Sequence, residues 1–83
     1  MANQLGQSLP QWQSHKKVRG GKITDADMTN WWLDSGGVVV LTPELKSRVP
    51  EGTDPIGGYY VQYADGFESW SPAKAFEEGY TRI

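Results

Sequence analysis

Lys17 and Arg19 lie two residues apart, a spacing that puts both cations on one face of a β-strand and leaves Lys16 and Val18 on the other. Such a pair can grip a phosphate, with the guanidinium giving bidentate hydrogen bonds. Gly20-Gly21 follows at once and permits close backbone approach, because no Cβ intervenes. No GxxxxGK-Ser/Thr run occurs, so this is not a phosphate loop of the Walker kind. Trp31-Trp32, Tyr60 and Phe67 supply rings on which a base could stack, each such contact worth roughly 1–3 kcal/mol. Lys17, Arg19, Trp31, Trp32, Tyr60 and Phe67 are therefore the candidate ligand-binding residues. The single histidine, His15, reads as solvated beside Lys16 and Lys17, whose charges disfavour its protonated form. Asp65 reads as turn chemistry. No activated nucleophile or acid/base pair is visible. The expectation is a protein that is not an enzyme, with no catalytic residue, no metal site and no cofactor.

The elements that must position these residues follow from local pattern. Residues 1–14 are polar, Gln-rich and interrupted by Pro10; they read as a flexible arm, which Trp12 could dock onto the body or onto a neighbouring subunit. His15 to Ile23 reads as a first strand, broken or bulged at Gly20-Gly21. Thr24 to Asp27 reads as a helix start, with Thr24 as cap, acids at the positive helix end and an Ile23–Met28 staple. A short helical turn over 25–31 follows from that, although Trp31-Trp32 also fits a strand. Asp34 to Gly37 is a turn. Val38 to Leu41 is a β-branched buried strand, ended by Thr42-Pro43. Residues 44–56 read as a loop.

Tyr59–Ala64 and Phe67–Trp70 read as a hairpin closed by Asp65-Gly66, a dipeptide suited to a two-residue type I′ turn. That register pairs Tyr63 with Glu68, Gln62 with Ser69 and Val61 with Trp70. One face then carries Tyr59, Val61, Tyr63, Glu68 and Trp70, the better core. The other carries Tyr60, Gln62, Ala64, Phe67 and Ser69, the candidate interface or pocket. Ser71 as N-cap and Pro72 at the first helical position open a helix whose Ala73, Phe76 and Tyr80 share a face. Gly79 stops it, and Thr81-Arg82-Ile83 returns as a last strand.

Composition sets the outer bounds. The 83 residues make one small domain, residues 15–83 beyond the arm. A chain this short buries only about 60% of its extended surface, and association between copies is a common way to complete such a core. Four Trp, four Tyr and two Phe supply large rings to bury. With no cysteine there is neither a disulfide framework nor a thiolate metal site. No apolar run approaches the ~20 residues that span a bilayer, and the N-terminus lacks the charged and apolar regions of a signal peptide, so a cytoplasmic location is expected. The net charge of −2 argues against bulk nucleic-acid binding. Lys16, Lys17, Arg19 and Lys22 nevertheless hold half of the basic residues, which makes one basic edge on an acidic protein.

The segment from Gly58 onward resembles short phage and prophage proteins with the signature Gly-Tyr-x-Val-x-Tyr-x-Asp-Gly-(Tyr/Phe)-x-Ser-Trp-Ser-Pro, then Phe-Glu and Tyr. Here Gly58, Tyr59, Val61, Tyr63, Asp65, Gly66, Phe67, Ser69, Trp70, Ser71, Pro72, Phe76, Glu77 and Tyr80 carry it. His15-Lys16-Lys17-Val18 looks like that family's basic opening strand. The match covers about a third of the chain; residues 24–56 depart from the family pattern. Similar short phage proteins occur among anti-defence factors, including sponges that sequester nucleotide immune signals. The strand and turn plan is also similar to plasmid-encoded type II dihydrofolate reductase, a small SH3-like barrel with a pore between subunits. The pore-lining motif of that enzyme is absent, so the likeness implies architecture and not activity.

These readings converge on an α+β fold: a small twisted antiparallel sheet or SH3-like half-barrel with one C-terminal helix. The expected partners are further copies of the chain and a small nucleotide-type ligand. The expected function is that of a non-enzymatic phage accessory protein in the host cytoplasm, binding that anionic ligand as an anti-defence sponge. The alternative is a phage inhibitor that blocks a host protein through an aromatic and acidic surface, with no membrane role.

Overall fold

The computed structural model describes residues 9–13 and 17–82. The chain runs β1 (Gln11–Gln13), β2 (Lys17–Ala26), β3 (Asn30–Leu33), β4 (Val38–Val40), α1 (Pro43–Lys46), β5 (Tyr59–Gln62), β6 (Glu68–Ser71), α2 (Ala73–Gly79) and β7 (Thr81–Arg82). The strands form one curled antiparallel sheet, an SH3-like half-barrel with a short C-terminal helix.

The ten-residue strand β2 organises the sheet. In its first half Arg19 lies opposite Gln11 of β1 and also opposite Gln62 of β5. Past Ile23 the register shifts, Thr24 is bulged out, and β3 becomes the partner through Asp25↔Trp32 and Ala26↔Trp31. A bulge bends a strand and raises its twist, and so lets one strand serve two parts of a curved sheet. The bend expected at Gly20-Gly21 is thus four residues late: the pairs Gly20↔Val61 and Gly21↔Tyr60 run without interruption. Gly20 has a different purpose, since a Cβ there would come within 2.5 Å of the Tyr60 carbonyl oxygen.

Both faces of the β2–β5 region are covered. On one face Leu9, Ile23, Trp31, Leu33, Val39, Leu45 and Tyr60 form a core, with Trp70 packed against it. On the other, Val18, Tyr59, Val61 and Phe76 form a second, joined by Trp12 and Tyr80. Phe76 of α2 stacks on Tyr59 at 4.3 Å and on Tyr80 at 4.7 Å, and meets the Trp12 ring edge-on at 4.9 Å. Every residue of β5 is consequently buried, and neither hairpin face is the exposed interface the alternating pattern implied. The N-terminal stretch read as an arm falls partly outside the described residues. Its described part is packed: Leu9 is buried, β1 pairs with β2 and β7, and the Trp12 indole N–H donates to the Gly20 carbonyl at 3.2 Å.

Several local expectations change. No helix starts at Thr24. The Asp27 carboxylate instead accepts from the Thr29 and Asn30 amides at 2.8 and 2.7 Å, and the chain turns into β3. Ile23 is buried while Met28 is 80% exposed, so no staple joins them. β4 is a half-exposed strand with only Val39 buried. Thr42 accepts from the Leu45 amide at 3.1 Å and caps α1, within a stretch read as loop. Ser71 stays in β6, and α2 begins after Pro72 without a side-chain cap. Thr81–Arg82 returns as a strand beside β1; Ile83 lies outside the described residues.

The largest correction concerns register. The hairpin pairs Gln62 with Glu68, Val61 with Ser69 and Tyr60 with Trp70. A type I′ turn needs positive φ at two successive residues, but only Gly66 has it, at φ 90°, and Asp65 does not. The connection is therefore Ala64-Asp65-Gly66. The Gly66 amide donates to the Tyr63 carbonyl, and the Tyr63 amide to the Phe67 carbonyl. A shift of one residue moves every side chain of a strand to the other face. Glu68 and Trp70 thus join Tyr60 and Gln62 rather than Tyr59 and Val61.

Candidate functional site

The β5–β6 turn and the start of β2 flank an open cleft of about 720 Å³ lined by Lys17, Tyr63, Ala64, Asp65 and Phe67. A recess of about 180 Å³ adjoins it, sharing Lys17, Tyr63 and Ala64 and adding Gln11, Arg19 and Gln62. Strand alternation explains the recess: Lys17 and Arg19 face the same way, and Gln62 is the cross-strand partner of Arg19. The three-residue turn sets Phe67 opposite Tyr63, with ring centroids 5.8 Å apart: Phe67 emerges at the surface while Tyr63 stays half-buried. The Asp65 carboxylate accepts from the Phe67 amide at 2.9 Å and so fixes where that ring emerges. The Arg48 guanidinium sits 4.6 Å from the centre of the Phe67 ring.

Of the residues singled out from sequence, Lys17, Arg19 and Phe67 meet at this surface. Lys17 is exposed, Arg19 is half-buried and donates to the Leu9 carbonyl at 2.9 Å, and Phe67 is 47% exposed. Trp31 and Tyr60 are core residues with 2% and 0% of their surface exposed, so their rings serve packing. Trp32 points from the outer face of β3, opposite Val38, and is not part of the cleft. His15 lies outside the described residues. Tyr63, Gln11 and Arg48 were not among the residues singled out, while Gln62 belongs to the hairpin face read as the candidate pocket and does line the recess. Tyr63 keeps the core face it shares with Tyr59 and Val61, half-buried against the Val18–Phe76 cluster, and also borders the cleft.

Beneath the site runs a short chain of polar contacts. Gln62 Nε2 donates to the Tyr60 hydroxyl at 3.1 Å, and that hydroxyl donates to Glu68 Oε2 at 2.5 Å. On the opposite face of β5 the Tyr59 hydroxyl donates to Glu77 Oε2 at 2.7 Å, and Lys22 Nζ stands 3.8 Å from the same oxygen. Burial, that hydrogen bond and the charges of Glu77 and Asp34 push the Tyr59 phenol up to about 12. Among the described residues no group of three or more His, Cys, Asp or Glu could hold a metal ion.

Chemically, the cleft offers two aromatic rings, one exposed ammonium and an adjoining recess of amides and a guanidinium. That set suits a ligand with a planar part and an anionic part. The chain matches no family model, no curated protein and no solved structure. Among the described residues no helix is long and apolar enough to cross a membrane.

Proposed function

We propose that this protein is a non-enzymatic module that binds a small anionic, nucleotide-type ligand in the Lys17–Phe67 cleft. The observation that carries the reading is the meeting of Lys17, from the start of β2, with Tyr63 and Phe67, from the β5–β6 turn, in one open cavity. In this reading the base stacks on Phe67 beside Tyr63, the Lys17 ammonium neutralises a phosphate, and the Arg19–Gln62 recess takes the remaining polar atoms. The open cleft covers one side of such a ligand. A second copy of the chain closing over it would exclude water and strengthen both contacts. Sequestration of a nucleotide signal is the role that fits a binder without catalytic machinery, and it agrees with the resemblance of the C-terminal segment to phage accessory proteins.

Calorimetric titration with mononucleotides, linear and cyclic dinucleotides and inorganic phosphate tests the reading. Binding by one of the nucleotides, lost in both Lys17→Ala and Phe67→Ala, is expected. Both side chains are at the surface, so both variants should keep the wild-type circular dichroism. Nucleotide affinity that survives both substitutions, or no affinity for any member of the panel, overturns it.

A second reading, a blocker of a host protein, is favoured by the outer face of the β3–β4 hairpin. There Trp32 is half-buried, and Val38 and Val40 are 39% and 59% exposed. Capture of one host protein by the wild type, but not by Val40→Lys, would support this reading over the first.

A further inference from the structure

A smaller cleft of about 240 Å³ shares no lining residue with the Lys17–Phe67 site. Trp31, Leu41, Val49, Pro50 and Pro55 give it an apolar lining. The two prolines have no N–H, so that part of the wall brings no backbone donors. Asp27 and Lys46 bring opposite charges to the same cleft, and among the described residues neither is in an ion pair.

The walls are held in place by contacts that need no ligand. The Thr53 amide donates to the Pro50 carbonyl at 3.0 Å, and the Trp70 indole to the Pro55 carbonyl at 3.2 Å. Asp54 accepts from the Ile56 amide at 3.0 Å. Asp27 is oriented by three donors to one oxygen: the Asn30 amide, the Thr29 amide and the Thr29 hydroxyl. The Thr29 amide bond leads the contacts that hold this carboxyl below its ordinary range, so it is ionised at neutral pH. A preformed site saves the ordering cost that otherwise weakens binding.

Size and charge together choose the occupant. At about 240 Å³ the cleft falls below the ~300–1,000 Å³ of ordinary small-molecule and cofactor pockets, so it fits one side chain and not a whole nucleotide. Asp27 and Lys46 are both exposed, so the rest of such a molecule would lie outside, along the surface. We propose that this cleft binds an extended peptide segment. One aliphatic side chain enters between Trp31 and the prolines, a basic neighbour pairs with Asp27, and an acidic neighbour pairs with Lys46. The site is independent of the anion cleft and is tested without it.

The experiment follows amide and indole resonances of the isotope-labelled full chain. The probes are the blocked tripeptide Lys-Leu-Glu, its neutral counterpart Ser-Leu-Ser, and free leucine. Lys-Leu-Glu should shift the Asp27, Lys46 and Thr53 amides and the Trp31 indole. Asp27→Asn keeps the acceptor that shapes the turn and removes the charge. It should weaken Lys-Leu-Glu roughly fivefold, the scale of one exposed ion pair, and leave Ser-Leu-Ser unchanged. Lys46→Gln should do the same. Equal affinity for the charged and neutral peptides overturns the proposal, as do shifts confined to Tyr63 and Phe67. Free leucine binding as tightly as the tripeptide would make this an amino-acid site and overturn the peptide assignment.

Discussion

Tyr60 has a fully buried ring whose hydroxyl accepts from Gln62 and donates to Glu68. Tyr60→Phe keeps the ring and its packing and removes both hydrogen bonds, one of them to a carboxylate. A bond of that kind is worth about 1.5–3 kcal/mol, so the urea midpoint should fall clearly with an unchanged slope. An unchanged midpoint would mean that the contacts are incidental to folding. Tyr59 makes a pH-dependent contribution of the opposite sense to a carboxylate. Its pKa is raised from 10.0 to about 12, so the fold favours the protonated phenol. The stability tied to this group is complete below pH 10 and is lost as pH rises through about 12. Denaturation from pH 9 to 12 should show that decline in the wild type and a shallower one in Tyr59→Phe. Parallel curves would exclude Tyr59 as its source.

At the level of elements, the β2–β5 pairing depends on Gly20. A methyl group there would stand 2.5 Å from the Tyr60 carbonyl oxygen, a backbone atom that cannot swing aside. Gly20→Ala should therefore cost about 1–3 kcal/mol or more by overpacking, read as a lower melting temperature. Gly36→Ala meets no atom within 4 Å and is strained only through its φ of 94°. The contrast between the two also marks what a sequence can reveal. Gly20-Gly21 announced a special backbone position, but not whether it was a bulge or a close approach, because that depends on which strand lies across. Asp65-Gly66 likewise announced the hairpin. The choice between two and three loop residues lay in the φ of Asp65, which the dipeptide does not encode. That choice decided which face Glu68 and Trp70 occupy. Asp27 looked like a helix acid because a carboxylate accepting from the next amides is the same signal whether a helix or a strand follows. The Lys17–Arg19 alternation was legible from period two alone. The removal of Trp31 and Tyr60 from the site was not, because it follows from β5 being covered on both faces.

At the level of the molecule, two cores lie on opposite faces of one sheet, and β2 and β5 belong to both. Val18 and Val61 of those strands face the Phe76 cluster, while Ile23 and Tyr60 face the Trp31 cluster. Removing support from either face therefore loosens strands on which the other depends. Trp12 is a good probe, because it ties β1 to β2 through the Gly20 carbonyl and meets both Tyr59 and Phe76 edge-on. It is half-buried, so Trp12→Ala should cost about 2–4 kcal/mol, toward the lower end of the range for truncating a buried ring. That is a large share of the roughly 5–15 kcal/mol that holds a small domain together. Val39→Ala should lower stability from the Trp31 side. If the two cores form one cooperative unit, each variant shifts tryptophan fluorescence and far-ultraviolet dichroism to the same new midpoint. A Trp12→Ala protein in which α2 and β7 lose amide protection while β3 and β4 keep theirs would show instead that the Phe76 side opens alone. The cleft at Lys17 lies between the start of β2 and the β5–β6 turn, beside β1, so that outcome would also place the proposed ligand site in the more mobile half of the molecule.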